Sequence, residues 1–303
     1  MTDLVHLFLD NLVPVFIIAG AGFIIKRALK IDPRPISQVS FYIFLPCLVF
    51  NLFTQNGYFN TDLLWIVLFT FSLIILLLGL SWLVGKGLKL ERKILAAFLL
   101  SSVFMNAGNY GMPVVLFAFG EEALSHASMF FITNAMIMYT VGIVVASMGS
   151  ASITRSMANL VKIPAVYALV LSFLFIQTGW QAPQWLMRTT KLLGDGTIPC
   201  LILLLGMQFE SMEWSARKLP VISASAIRLL ASPVIALALT ILFGLTGASQ
   251  KALLIEASMP TAIMSILLAT EYDAEPAFVT QVALITFLLS PLTLTPILHY
   301  LGA

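Results

Sequence analysis

Charge is the scarcest property of this chain: Asp, Glu, Lys and Arg make up 10% of its 303 residues, against about 25% in soluble domains. That shortage excludes an ordinary water-facing surface. The formal net charge of +2 is too small to point to nucleic acid. Cysteine is nearly absent, and Cys47 and Cys200 both lie in apolar stretches, so they read as small core residues rather than a disulfide framework. The three histidines, His6, His126 and His299, read as terminal or loop residues and form no metal-ligand spacing. There is no H-E-x-x-H, no G-x-S-x-G and no intramembrane Asp pair, so the ligands and nucleophiles of an intramembrane enzyme are missing. No metal or other cofactor is expected. Repeated filter-like or charged rings, the usual marks of a channel, are also lacking. The first apolar stretch follows Asp3 and His6 rather than a basic flank and has no A-x-A-like exit, unlike a cleavable signal.

What the chain does have is apolar length. Hydrophobic residues make up 60% and the mean hydropathy is +1.00, the composition of a membrane protein. About ten runs are long enough to cross about 30 Å of hydrocarbon: roughly 4–25, 36–55, 63–85, 93–119, 124–149, 161–178, 192–211, 218–244, 250–270 and 276–300. The expected fold is therefore an all-α integral membrane protein of ten transmembrane helices, in one membrane domain. Lys and Arg set its orientation. With the N-terminus outside, twelve fall in inner loops (Lys26, Arg27, Lys30, Arg34, Lys86, Lys89, Arg92, Lys93, Arg155, Lys162, Arg217, Lys218) and three in outer loops (Arg188, Lys191, Lys251). Both termini are expected on the outer side of the cell membrane.

Two of the runs are interrupted. Asn106 to Pro113 (NAGNYGMP) breaks span 4, and Glu256 to Ala262 (EASMPTA) breaks span 9. Gly and Pro at membrane depth are tolerated where the freed backbone is packed in protein or lines a polar cavity. The breaks correspond. Leu45-Pro46-Cys47-Leu48 is answered by Ile198-Pro199-Cys200-Leu201, an offset of 199 − 46 = 153, and the same offset carries Asn106 onto Met259. Residues 1–150 and 151–303 thus read as two five-helix repeats, inverted because five is odd, with broken helices 4 and 9 crossing near mid-bilayer. Matched breaks of this kind point to the substrate site of an inverted-repeat transporter.

Other polar residues lie at depth. Arg228 in span 8 and Glu256 in span 9 reach similar levels and read in two ways. They form a structural ion pair, or Arg228 serves a substrate carboxylate and Glu256 takes a proton. Asn134 in span 5 is either interhelical glue or part of the site. The N–H groups around Tyr110 to Met112 and Met259 to Ala262, at positive half-helix ends, suit a carboxylate among apolar walls such as Met105, Val114 and Ile263.

With those residues in place, the chain resembles the auxin efflux carrier family, which includes plant auxin exporters and many bacterial permeases. The resemblance rests on Asn106 to Pro113, on Arg228 to Pro233 (RLLASP), on the run from Met259 (MPTAIMSILLATEYDAEP), and on helix 10 (FLLSPLTLTPIL). It implies an elevator-type secondary carrier that dimerises. Helices 1, 2, 6 and 7 would form its scaffold and helices 3–5 and 8–10 its transport domain. By position, Asn106, Asn109, Pro113, Asn134, Pro260 and Thr261 would line the site, beside Tyr110 and Met259, with a small organic anion such as an auxin-like acid as substrate. Proton and sodium coupling both stay open. Glu256 stands where the plant carriers have Gln, and the link between halves, about Gly149 to Leu160, replaces their long loop. The alternative is a sodium-coupled symporter of the bile-acid type, with Glu256 and Asn109 in the ion shell.

Overall fold

The computed structural model describes residues 2–56, 62–147, 164–208 and 217–303. The link at 149–160 and the basic residues Arg155 and Lys162 lie outside them. Among the described residues the fold is all helical, apart from one isolated antiparallel bridge. Seven helices are long and apolar enough to cross a membrane: α1 (Leu4–Leu29), α2 (Pro33–Thr54), α3 (Leu63–Gly87), α5 (Ala107–Ala146), α7 (Gln184–Met207), α8 (Lys218–Leu242) and α11 (Pro276–Tyr300). Between them lie α4 (Arg92–Val103), α9 (Gly247–Ala257) and α10 (Ile263–Glu271), together with the shorter apolar α6 (Pro164–Thr178).

The difference from the ten expected runs has a physical reason. The runs at 93–119 and 250–270 do not form continuous helices, and their pieces α4, α9 and α10 (12, 11 and 9 residues) fall short of the about 20 needed to span hydrocarbon. The second piece of the first broken run is instead joined to the next helix in α5. Gly120, at φ +78° and ψ −168°, divides α5 into two arms. That backbone conformation suits glycine, which has no Cβ to clash.

Packing follows the small residues. Gly22 of α1 lies against the backbone of Leu203, and Gly206 of α7 lies against the backbone of Ala19; a Cβ at either glycine would overlap a carbonyl oxygen. Small residues let membrane helices approach this closely where apolar burial supplies little drive. Helix α2 packs on both α6 and α7. A second set of contacts joins α3 to α4 and α5, α8 to α9, α9 to α5, and α11 to α4 and α10. Outward faces carry exposed apolar side chains, as on α3 at Leu64, Leu68, Phe71, Ile75 and Leu83, which suits contact with lipid tails.

Candidate functional site

Where the two broken runs cross, their unwound backbones pair. Pro260 has no N–H and disfavours helical backbone at Met259, so α9 stops before it. Beyond Val103 the backbone is extended at Phe104. Met105 and Thr261 form the antiparallel bridge. The Asn106 N–H donates to the Pro260 carbonyl at 2.8 Å, and the Ala262 N–H donates to the Phe104 carbonyl at 2.9 Å. Asn106 then turns the chain tightly (φ −80°, ψ 60°), with the Ala107 N–H on the Met105 carbonyl at 2.9 Å, and α5 begins as a wide π turn over Ala107–Gly111.

A helix that ends in the membrane leaves its last four carbonyls without partners. All four at the end of α4 are satisfied. Ser265 Oγ donates to Leu100 at 2.9 Å and Thr261 Oγ1 to Ser101 at 2.6 Å. The Arg228 guanidinium donates through Nη1 to Ser102 at 3.3 Å and to Val103 at 2.8 Å. The same side chain reaches the end of α9, where Nη2 donates to the Ala257 carbonyl at 2.6 Å and to Ser232 Oγ, which itself donates to Ala257 at 2.7 Å. Arg228 and Ser232, four residues apart on one face of α8, reach one acceptor, and the helix there is widened into a π turn over Ile227–Ala231 before Pro233. Arg228 is fully buried, and its positive charge lies at the negative ends of two helix dipoles.

The opposite ends of the broken runs face a cavity of about 570 Å³. Ala107, Gly108 and Asn109 open α5 there, and Ala262, Ile263 and Met264 open α10. First-turn N–H groups of a helix have no intrahelical acceptor, so both positive ends point into the cavity. Asn106, Asn109 and Asn134 add three amides to its wall. Asn134 donates to the Met105 carbonyl at 3.4 Å, and its Oδ1 is buried with no hydrogen-bond partner among the described residues. Phe131, Met138 and Tyr139 supply apolar and aromatic wall, and α2 closes the far side. Among the described residues no acidic side chain lines the cavity. Such a site can hold an anionic headgroup beside an apolar body.

The sequence-derived residues divide accordingly. Asn106, Asn109 and Asn134 line the cavity; Tyr110, Pro113, Met259, Pro260 and Thr261 lie behind it as structure. Tyr110 turns away, its hydroxyl 3.1 Å from Ser290 Oγ and its ring packed on Phe16 and Phe287. The available N–H groups also shift. Ala107 N–H is taken by the Met105 carbonyl, Gly111 N–H by the Asn106 carbonyl, Thr261 N–H by Thr286 Oγ1, and Ala262 N–H by the bridge, so among the described residues the open ends are at 108–110 and 263–264.

Arg228 and Glu256 do not pair: the guanidinium holds carbonyls, while both Glu256 carboxyl oxygens are buried without a hydrogen-bond partner among the described residues. The carboxyl occupies the space left by Gly111, which has no side chain. Sequence reading also misplaced His126, which is buried in α5 with Nδ1 2.9 Å from the Glu122 carbonyl. The apolar residues around it gave the signal, since they continue the helical run on both sides.

Comparison with known proteins places the chain among membrane transporters. A family model described as a membrane transport protein matches residues 7–298. An uncharacterised transporter of Methanocaldococcus jannaschii is 29% identical over 297 residues, covering 92% of this chain and 94% of that protein. Another uncharacterised transporter, from Methanothermobacter thermautotrophicus, is 27% identical over 198 residues, 64% of each chain.

Proposed function

The chain belongs to the membrane transport protein family, the auxin efflux carrier family that its motifs resemble, and from that premise we propose that it is a secondary carrier of a small organic anion. One observation carries the reading: two positive half-helix ends and three amides share one cavity, while the negative ends are occupied by Arg228. A carboxylate would take the first-turn N–H groups of α5 and α10, with Asn106, Asn109 or Asn134 orienting it. Its body would rest on Phe131, Met138 and Tyr139.

The inverted ten-span plan belongs to the same proposal. The offset of 153 carries α4 at 92–103 onto 245–256, close to α9 at Gly247–Ala257, which supports matched halves. The two packing sets support a scaffold of α1, α2, α6 and α7 and a moving unit of the remainder. The cavity lies between them, as a rocking or elevator cycle requires. Its mouth carries Arg34, an inner-side residue by the charge rule, so this conformation opens inward. Against a sodium shell of the bile-acid type, Glu256 does not line the cavity.

Counterflow of labelled carboxylates in liposomes tests the proposal. Saturable flux in the native protein, abolished in Asn106→Ala at unchanged melting temperature, is the expected result. Normal uptake and affinity in Asn106→Ala would remove the crossing as the site.

A further inference from the structure

Arg228 is committed to carbonyls, so the positive charge available to an entering ligand must come from elsewhere. Among the described residues Arg34 is the one charged side chain on the cavity wall. It stands at the start of α2, the wall opposite the crossing. Arg34, Ser37, Gln38, Phe41, Tyr42 and Leu45 all line the cavity, at the three- and four-residue spacing of one helix face. Along this stripe the chemistry passes from cation through hydroxyl and amide to aromatic and then aliphatic. Arg34 is exposed, and Leu45 is buried at 2%.

We propose that Arg34 is a specificity-determining entry residue, which draws anions into the mouth and is left behind as they move on to the crossing. The inference rests on the anion-carrier reading above. Distance separates entry from binding. Arg34 and Leu45 are eleven positions apart, about 16 Å at 1.5 Å per residue. The Debye length is about 8 Å at physiological salt. The charge therefore acts most strongly on ligands at the solvent-filled mouth, and its attraction falls with distance toward the deep end. Its contribution is to capture, with a strong dependence on ionic strength.

A nearby charge opposes it. Asp32 accepts the Arg34 backbone N–H at 3.0 Å as the N-cap of α2, and its exposed carboxylate is not part of the cavity wall. Asn caps a helix about as well as Asp, so Asp32→Asn removes the opposing charge and keeps the cap.

The test is counterflow of labelled benzoate and succinate by the full chain in liposomes, over a range of ionic strength. In Arg34→Gln, the half-saturating concentration at low salt should rise on the order of tenfold with the maximal rate kept. Its curve should merge with that of the native protein at high salt. Arg34→Lys should stay close to native, and Asp32→Asn should shift the half-saturating concentration downward. If Arg34→Gln keeps the native concentration and salt dependence while native flux is present, the entry role is overturned and the anion reading stands. A loss of maximal rate at unchanged half-saturation overturns it as well. If the native protein carries neither acid and is stabilised by neither, both readings fall together.

Discussion

Met105 faces Thr261 across an antiparallel bridge of a single pair, and that pairing sets the polarity of the whole crossing. With Asn106 held to Pro260 and Ala262 to Phe104, α5 and α10 start on the cavity side. Helices α4 and α9 end on the other side, against Arg228. A membrane offers these termini no water, so each must find its partner within the protein. The sorting of positive ends to the cavity and negative ends to an arginine is thus a consequence of backbone satisfaction. It also underlies the anion selectivity proposed for the cavity.

Arg228 accordingly acts as a structural cation, and its loss should unfold the protein rather than merely slow transport. Hydrogen bonds from a charged group contribute about 1.5–3 kcal/mol each, and Arg228→Ala removes donors from two helix ends. We expect loss of at least about 3 kcal/mol, seen as a large fall in melting temperature in detergent. Arg228→Lys should recover little, because a point charge cannot fork to both helix ends. Glu256→Gln should not rescue Arg228→Ala. A double-mutant coupling above about 0.5 kcal/mol would show that the two side chains interact after all.

Gly111 and Glu256 make the opposite case, a pair coupled by shape. A methyl group on Gly111 would overlap the Glu256 carboxyl. Gly111→Ala should destabilise by about 1–3 kcal/mol, the usual penalty for overpacking. Shortening the neighbour in Gly111→Ala/Glu256→Ala should relieve most of that loss. Thermal unfolding of the four proteins in the cycle measures it directly, and additive losses would contradict the contact.

The two breaks were legible in the sequence because Pro260, Gly108 and Gly111 interrupt long apolar runs, and the sequence offset of 153 made them correspond. Asn106, Asn109 and Asn134 were likewise visible as amides at membrane depth, and all three reach the cavity. What the sequence concealed was direction. Periodicity placed Arg228 and Glu256 at similar depth, but it cannot show that the guanidinium's acceptors are backbone carbonyls, which every residue carries. The same limit hid the role of Tyr110, one position beyond a cavity-lining amide yet turned the other way. Arg34 drew notice only as one of many inner-side basic residues, because lining a cavity opposite α5 and α10 is a tertiary property.

Close approach of α1 and α7 should be intolerant of side-chain growth. At Gly206 a Cβ meets the Ala19 backbone, and backbone cannot swing aside as a flexible side chain does. Gly206→Val should therefore separate the helices and lower yield and melting temperature sharply, by several kcal/mol if the helices cannot shift. Gly79, with open space around its Cα, provides the comparison: Gly79→Ala should be neutral or mildly stabilising. Equal tolerance at both positions would contradict the close α1–α7 contact.

Tyr110 distinguishes a residue near the substrate from one that supports its neighbours. The side chain is fully buried, its ring centroid 5.3 Å from that of Phe287 and 6.3 Å from that of Phe16, and it does not line the cavity. Removing the hydroxyl in Tyr110→Phe loses one hydrogen bond with Ser290, about 1 kcal/mol of stability. Half-saturation of transport should stay at the native value. Asn109→Ala, one residue earlier and on the cavity wall, should instead raise half-saturation with little change in melting temperature. Flux curves and melting curves on the two variants separate these roles, since only a ligand contact alters affinity without altering stability. A weakened affinity in Tyr110→Phe would mean that the ring turns toward the substrate during the cycle, and that the wall of the site extends behind the π turn.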